Sequence, residues 1–444
     1  MTRLALISPK GPLYKHRGGI FRKSLRASPL TLTTLAALIP EDLKIEVQLI
    51  DEGVEDVPDF LEADVVAMTV ITGSSMRAYE LSEKYRSEGK TVILGGPHVT
   101  LIPEEAMQHA DSVVVGYAEE TWPQLLRDFK RGALKPRYDM QGDFSLQKPE
   151  NLPFPRRELL KKKQYTTFNT VEATRGCVHS CEFCVVPTAW GRTPFQKPVG
   201  HIVDDIRRMS ARRVLFYDLN LIANRTYAKE LFEALTPLKI KWFGLSTTLL
   251  DDDLISRMRQ SGCTGLLIGF ESLNEESLAD SNKGFNKPTG YRELIAKLKQ
   301  AGILLNGTFV FGQDSDTLRS FKAVEDFVLS AGIDLPRFSI LTPFPGTPLF
   351  KRLNESGRIL TRDWSLYDGQ HVVFKPARMS PSELLSAHEA LWRKVYSYSS
   401  IAKRVGWGLF RKLSLSPLIL GANLGYRFYA RHLSRFYTCT GGVV

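Results

Sequence analysis

The segment VEATRGCVHSCEFC, residues 171–184, runs from a short β-like stretch straight into three cysteines. Cys177, Cys181 and Cys184 are spaced C-x3-C-x2-C, while Cys263 and Cys439 are single and distant. Thiolates ligate zinc, copper(I) and iron–sulfur clusters. A structural zinc site asks for four ligands, commonly as two separated pairs, and no second pair is present. A [4Fe–4S] cluster is normally held by four thiolates, so three leave one iron open to a substrate or cofactor. The trio is read as such a site. Two blander readings stay beside it: incidental buried thiols, or a zinc site completed from elsewhere in the chain. An odd cysteine count with three clustered argues against a disulfide framework and suits a reducing cytoplasm.

Downstream, further apolar runs alternate with helical patterns. The strand candidates after VEAT (171–174) are VLFYD (214–218), KWFGLS (241–246), GLLIGF (265–270), NGTFVFG (306–312) and FSILT (338–342). Helical stretches such as HIVDDIRRMSA and DDDLISRMRQSG lie between them. Six strand–helix units predict a partial (β/α)6 TIM-type barrel over residues 169–350. Chemistry in barrels sits at the carboxyl ends of the strands, which is where the three cysteines fall.

Upstream, residues 1–135 repeat the alternation with LALIS (4–8), IEVQLI (45–50), VVAMTV (65–70), TVILGG (91–96) and SVVVG (112–116). Near-continuous apolar strands with helices between them predict an α/β doubly wound, Rossmann-like domain with a parallel sheet. Its ligands would lie beyond the carboxyl ends of the strands. Residues 136–168 are Pro-rich, basic and aperiodic, and read as a linker; the lysine run 161–163 reads as a solvated surface. Residues 351–444 read as mainly helical.

The 444 residues carry a net charge of +11, are 43% hydrophobic and 24% charged, and fit a multidomain globular protein. No apolar run of about 18 residues predicts a transmembrane helix, and the apolar start is too short for a signal peptide. Residues 401–444 hold seven basic residues and no acid. Their mixture of Trp, Phe, Leu and Tyr with Arg and Lys suits packing on the barrel or a peripheral contact with the inner face of a membrane. No recognisable RNA-binding module accompanies them, so nucleic acid is not expected as a partner.

With Phe183 before the last cysteine, the C-x3-C-x2-C loop resembles the radical SAM superfamily. The resemblance implies that Cys177, Cys181 and Cys184 hold a [4Fe–4S] cluster whose open iron takes S-adenosylmethionine. It implies cofactor contacts from Phe183, from Asp218 in YDLN (217–220), from Ser246, and from Glu271 in GFES (269–272). Leu219 stands where many relatives have a second acid. TPFPGTPLF (342–350) resembles the segment that closes the barrel, with Pro343, Pro345 and Pro348 fixing a turn. Cys263 reads as a buried structural thiol. The first domain resembles the cobalamin-binding arrangement found ahead of such barrels. There the implied contacts are Thr69, Thr72 and Ser74 in AMTVITGSS, Gly95, Gly96 and His98 in ILGGPHVT, and Gly116 and Glu119 in GYAEETW. Cobalamin proteins that ligate cobalt through His carry Asp-x-His-x-x-Gly. Tyr14 occupies the Asp position before His16 and Gly19, so His16 is not expected as the cobalt ligand. YDGQHVVFKP (367–376) resembles a segment found after the barrel in the same cobalamin-linked branch, where it would cover the substrate mouth.

The resemblance therefore implies a cobalamin-dependent radical SAM C-methyltransferase, acting on a lipid-like, tetrapyrrole or natural-product substrate. S-adenosylmethionine would be cleaved reductively to a 5'-deoxyadenosyl radical, and methyl delivered from methylcobalamin. An electron donor of the flavodoxin or ferredoxin type is implied with it. The alternatives are a cobalamin-dependent cyclase or oxidative enzyme, a radical SAM enzyme that does not use cobalamin in turnover, and a cluster protein without turnover.

Overall fold

Two parallel six-stranded sheets organise the chain, in a computed structural model that describes residues 1–11, 27–140, 152–409 and 416–431. In the first sheet β1 (Thr2–Ser8), β2 (Ile45–Asp51), β3 (Val65–Thr69), β4 (Thr91–Gly95), β5 (Ser112–Val115) and β6 (Arg137–Asp139) take the order β2-β1-β3-β4-β5-β6. The central strands are buried because helices cover both faces. Ala5, Ile7, Val66, Met68, Val92 and Leu94 form one apolar layer, and Leu4, Leu6, Val65, Ala67 and Ile93 form the other. The strand order reverses between β1 and β3, the position where such sheets open a ligand crevice. Tyr14, His16 and Gly19, in the connection after β1, lie outside the described residues.

β6 is an addition to the expected domain, and it falls inside the segment read as linker. The rest of that segment is a packed strap from 152 to 168. Buried Arg157 donates to both oxygens of Asp205 at 2.7 and 2.8 Å and to the Thr170 carbonyl at 2.7 Å. Tyr165 donates its hydroxyl to Asp51 at 3.1 Å. Aperiodic sequence hid this order because it comes from side-chain bonds to both flanking domains.

The short β7 (Thr170–Val171) opens the second sheet. Between it and the next long strand, β8 (Thr174–Arg175) and β9 (Phe195–Gln196) pair antiparallel and close the cysteine loop into a hairpin-like excursion. β10 (Arg213–Phe216), β11 (Lys241–Ser246), β12 (Cys263–Glu271), β13 (Leu304–Phe311) and β14 (Leu335–Ile340) follow. The sheet order is sequential, β7-β10-β11-β12-β13-β14, as in a partial barrel. One face of these strands, with Val214, Trp242, Leu266, Ile268, Phe309, Phe311 and Phe338, packs into the helix layer. Cys263 is buried at the start of β12, its thiol 3.6 Å from the Gly265 carbonyl.

Beyond the barrel the chain is helical. The helix Pro381–Val395 starts at a capping box of Ser380 and Glu383, and its Trp392 indole donates to the Phe338 carbonyl at 3.1 Å. The helix Ser416–Ala430 lies against the same end of the barrel. Arg404 donates to Asn423 Oδ1 at 3.0 Å, and Asn423 donates to the Asp334 carbonyl at 3.3 Å. Its other side exposes Leu420, Leu424 and Phe428. Among the described residues no helix is long and apolar enough to cross a membrane. Cys439 lies outside the described residues.

Candidate active site

The carboxyl ends of the two sheets meet. Leu101, in the helix Pro97–Leu101 after β4, packs against Val185, Val186 and Ala189 of the helix Val185–Trp190, which begins directly after Cys184. Cys177, Cys184, Leu219 and Phe344 pack on the same cluster. Gly346, at φ +77°, lets the barrel-closing loop approach so near that an added Cβ would lie 2.8 Å from the Leu101 carbonyl oxygen. Arrangement at strand ends leaves side chains of both domains facing one interior.

The cysteine loop forms because β7 ends at Val171 and Gly176 takes φ +85°, turning the chain away from the sheet. Cys181 is buried, and Cys177 and Cys184 are partly so. Burial pushes the Cys181 thiol up to about 11 and the Cys184 thiol up to about 12. These thiols stay protonated until a cation replaces the proton. Asn220 Nδ2 lies 3.6 Å from Cys177 Sγ, while Asn220 Oδ1 and Thr174 Oγ1 are buried with no hydrogen-bond partner. Among the described residues no three His, Cys, Asp or Glu side chains converge as on a single ion. A cluster in which each thiolate takes its own iron does not ask for that convergence. The three thiols and the orphaned amide oxygen beside them fit a [4Fe–4S] group and a polar ligand on it.

Asp218 is fully buried and accepts from the Ala173 and Thr174 backbone N–H groups, the Ala173 bond being 3.0 Å. Burial pushes its carboxyl up to about 7, against the opposing pull of those N–H bonds. Asp218 thus ties the end of β10 to the backbone that leads into the cysteines. Ser246 ends β11 buried, its hydroxyl donating to the Thr247 carbonyl at 3.2 Å. Glu271 ends β12 with a left-handed φ of +65°, at an irregularity in the pairing with β13. Its carboxylate pairs with buried Lys283. An added Cβ at Gly269 would crowd both Glu271 Oε1 and the Lys283 ammonium, so the missing side chain there makes room for this pair. The Lys283 ammonium also lies 5.9 Å from the Phe183 ring centroid, which places Phe183 beside the same cation.

In the first domain the strand-end residues mostly serve one another. Gly96, at φ +102°, packs on the β3 end: an added Cβ would meet Val70 N at 2.8 Å and O at 2.9 Å. Gly95 accepts from Val70 N–H at 2.8 Å. The space at Gly96 is filled by the Val70 backbone, and a Cβ at Gly95 would lie 3.6 Å from that of Val114. Thr72 and Ser74 are buried, and Ser74 Oγ donates to the Ile71 carbonyl at 3.1 Å. His98 is fully buried, 3.3 Å from Thr72 Oγ1 and 3.1 Å from Tyr79 Oη. Tyr79 and the Trp364 indole both donate to Glu105, at 3.0 and 2.9 Å, so this network joins the first domain to the segment after the barrel. Gly116, at φ +84°, donates its N–H to Thr100 Oγ1 at 3.0 Å. The Thr69 hydroxyl makes no hydrogen bond among the described residues, and Ile71 and Met76 stand exposed at the same edge. That mixed polar and apolar edge fits a bulky amphipathic cofactor.

Glu119 reaches across the domain boundary to Arg175 at 2.6 Å. Arg175 also pairs with Glu172 at 2.6 Å, and Lys197 with Glu172 at 3.2 Å. Glu119 Oε2 is buried without a partner. Of these residues only Glu119 was expected from sequence; Arg175, Glu172, Lys197, Lys283 and Asn220 emerge from the structure. Arg175 lies in VEATRGCVHSCEFC and Asn220 in YDLN, so both were within reach of the motifs. Lys283 lies in a loop that carries no pattern.

A family model described as the radical SAM superfamily matches residues 171–328, and one described as the B12-binding domain matches residues 24–126. The chain is 34% identical over 389 residues to the bacteriochlorophyllide d C-12(1)-methyltransferase of Chlorobaculum tepidum, covering 85% of this chain and 84% of that protein. It is 32% identical over 398 residues to the bacteriochlorophyllide d C-8(2)-methyltransferase of the same organism, covering 84% and 87%. Among solved structures, the radical S-adenosylmethionine methyltransferase TsrM from Kitasatospora setae, with cobalamin and a [4Fe–4S] cluster bound, superposes with a TM-score of 0.71. That match has 15% identity, over 98% of this chain and all of that one, and is a likeness of fold.

Proposed function

The chain belongs to the radical SAM superfamily, in the branch with a B12-binding domain, and from that premise we propose that it methylates an unactivated carbon on a chlorophyllide-type tetrapyrrole. Identity above 30% along most of two bacteriochlorophyllide d methyltransferases carries this reading. When bound, the [4Fe–4S] cluster, S-adenosylmethionine and cobalamin supply reductive radical generation and a transferable methyl group.

The protein's own part is binding, orientation and exclusion of water. Cys177, Cys181 and Cys184 would hold the cluster, with Phe183 against Lys283 beside it. Asn220, Ser246 and the Glu271–Lys283 pair line the strand ends where S-adenosylmethionine would lie, and Asp218 holds the loop in place. Thr69, the backbone around Gly95, Gly96 and Gly116, and the edge near Ile71 would border cobalamin. His98, Thr72 and Ser74 support that edge from within, and Glu119 locks it to the barrel. Leu101, Val185, Leu219 and Phe344 give the shared interior an apolar wall, which suits a flat hydrophobic macrocycle and keeps a carbon radical away from water.

Electrons would come from a low-potential donor of the flavodoxin or ferredoxin class. The exposed Leu420, Leu424 and Phe428, spaced four apart near Arg427 and Arg431, support a peripheral contact with an anionic membrane at the inner face. Deleting residues 405–444 should then abolish binding to anionic vesicles; unchanged binding would leave the tail a packing element.

Anaerobic reconstitution tests the main reading. About four irons and one cobalt per chain, 5'-deoxyadenosine on reduction, and a tetrapyrrole product heavier by one CH2 are expected. Iron without cobalt would remove methyl transfer from cobalamin. An oxidised or ring-closed product would favour the cyclase alternative.

A further inference from the structure

The inner face of the last two barrel strands carries polar side chains that the protein does not satisfy. On β13 and β14, Phe309, Phe311, Phe338 and Ile340 pack outward into the helix layer. Alternation along a strand therefore turns Asn306, Thr308, Arg337 and Ser339 to the opposite face. Thr308 lies directly between Arg337 on β14 and Gly269 on β12, so the row continues to the Glu271–Lys283 pair that sits over Gly269. Arg337 is only 8% exposed, yet its guanidinium makes no hydrogen bond or ion pair among the described residues.

The contrast with the other buried cations is direct. Arg157 has Asp205, Lys197 has Glu172, Lys283 has Glu271, and Arg404 has the Asn423 and Val395 oxygens. A guanidinium stays charged and offers five donors in a planar fork, and that of Arg337 has no acceptor among the described residues. Two further polar side chains on or near these strands are buried without all their partners. Asn306, two residues before Thr308 on the same face, has a buried Oδ1 with no partner. Gln370, 4% exposed, has neither amide atom partnered. Its neighbour Gly369 accepts from Ile340 N–H at 2.7 Å, which brings Gln370 to the carboxyl end of β14.

We infer that Arg337 receives a carboxylate of the substrate and so makes the enzyme selective for a free acid over its ester. The inference rests on the proposed tetrapyrrole methylation for the identity of the substrate, and on the unpartnered guanidinium for the anion. The fork of Arg337 matches a carboxylate through two parallel N–H bonds. Anchoring one edge of the substrate on β14 would set which carbon faces the cysteine loop beside β7 and β12. The other carboxylate that can enter this barrel belongs to the methionine moiety of S-adenosylmethionine, and the test separates the two.

The experiment uses the full chain, anaerobically reconstituted with cluster and cobalamin, and sodium propionate as the probe. Propionate should raise the unfolding midpoint of the wild type by about 2 °C over sodium chloride of equal ionic strength. It should do so equally with saturating S-adenosylmethionine, should fail on Arg337→Met, and should act partly on Arg337→Lys, which keeps charge without the fork. A bacteriochlorophyllide free acid should bind the wild type at least about tenfold more tightly than its methyl ester, and Arg337→Met should erase the difference. No propionate effect on the wild type, or an effect abolished by S-adenosylmethionine, overturns the assignment. Propionate protection with neither acid nor ester bound would uphold the carboxylate site and sink the tetrapyrrole reading instead.

Discussion

At the scale of single residues, charge and burial decide what the site can do. Lys283 is a buried cation close enough to act on Cys181 and Cys184, and it compensates Glu271. Lys283→Met should cost about 3–5 kcal/mol in a urea titration, because it strands a buried carboxylate. It should also lower the cluster's reduction potential in an EPR-monitored titration, since a positive charge near the thiolates favours the added electron. Lys283→Met combined with Glu271→Gln should recover much of the stability. Asp218 predicts a pH effect. Its carboxyl is raised from near 3.8 to about 7 by burial, so between those values the native chain holds more protons than the unfolded one. Stability therefore falls as pH rises through that window, by up to about 4 kcal/mol from this group. Urea midpoints at pH 5, 6.5 and 8 should fall more steeply for the wild type than for Asp218→Asn; parallel slopes would refute it. The cysteines were legible in sequence because their spacing is local. Lys283 was not, because its partner is twelve residues away across a strand end and nothing periodic marks it.

At the scale of elements, the long strands were legible because helices on their outer faces demand continuous apolar runs, as in VVAMT and LLIGF. β6, β8 and β9 were not. RYD, TR and FQ carry no such run, and they become strands only because a neighbour offers its unpaired edge. The strap 152–168 was invisible for a related reason: its order comes from Arg157 and Tyr165 bonding to distant acids. Gly346 belongs at this scale too. Its φ of +77° and the 2.8 Å approach to the Leu101 carbonyl fix the loop between barrel and first domain. Gly346→Ala should cost about 1–3 kcal/mol and weaken cobalamin retention while iron content stays near wild type. Gly357→Ala supplies the comparison. It has φ +65° with nothing within 4 Å, so only the conformational cost of about 1–2 kcal/mol should appear, with cobalamin retention unchanged. Equal cobalt loss in both variants would show that Gly346 acts through strain alone.

At the scale of the whole molecule, two cofactor domains serve one reaction only if their strand ends stay opposed. Arg175 is the charged hinge of that arrangement. It binds Glu119 of the first domain and Glu172 of the barrel, and its guanidinium lies 5.3 Å from the Tyr117 ring centroid and 5.9 Å from that of Phe195. Among the described residues, removing it leaves Glu119 without an ion pair and Glu172 with Lys197 alone. Arg175→Met should therefore destabilise by about 3–5 kcal/mol, and the loss should fall on the contact between the domains. The calorimetric trace, a single transition in the wild type if the domains unfold together, should separate into two. Glu119→Gln should do less, because a neutral amide tolerates its buried position without a counter-charge. The double variant should differ from the sum of the singles by about 1–3 kcal/mol, the mark of a direct pair. If the effects simply add and the transition stays single, the domains are held by the apolar contact of Leu101 with Val185, Val186 and Ala189. Glu119 would then be free to serve the cofactor rather than the joint.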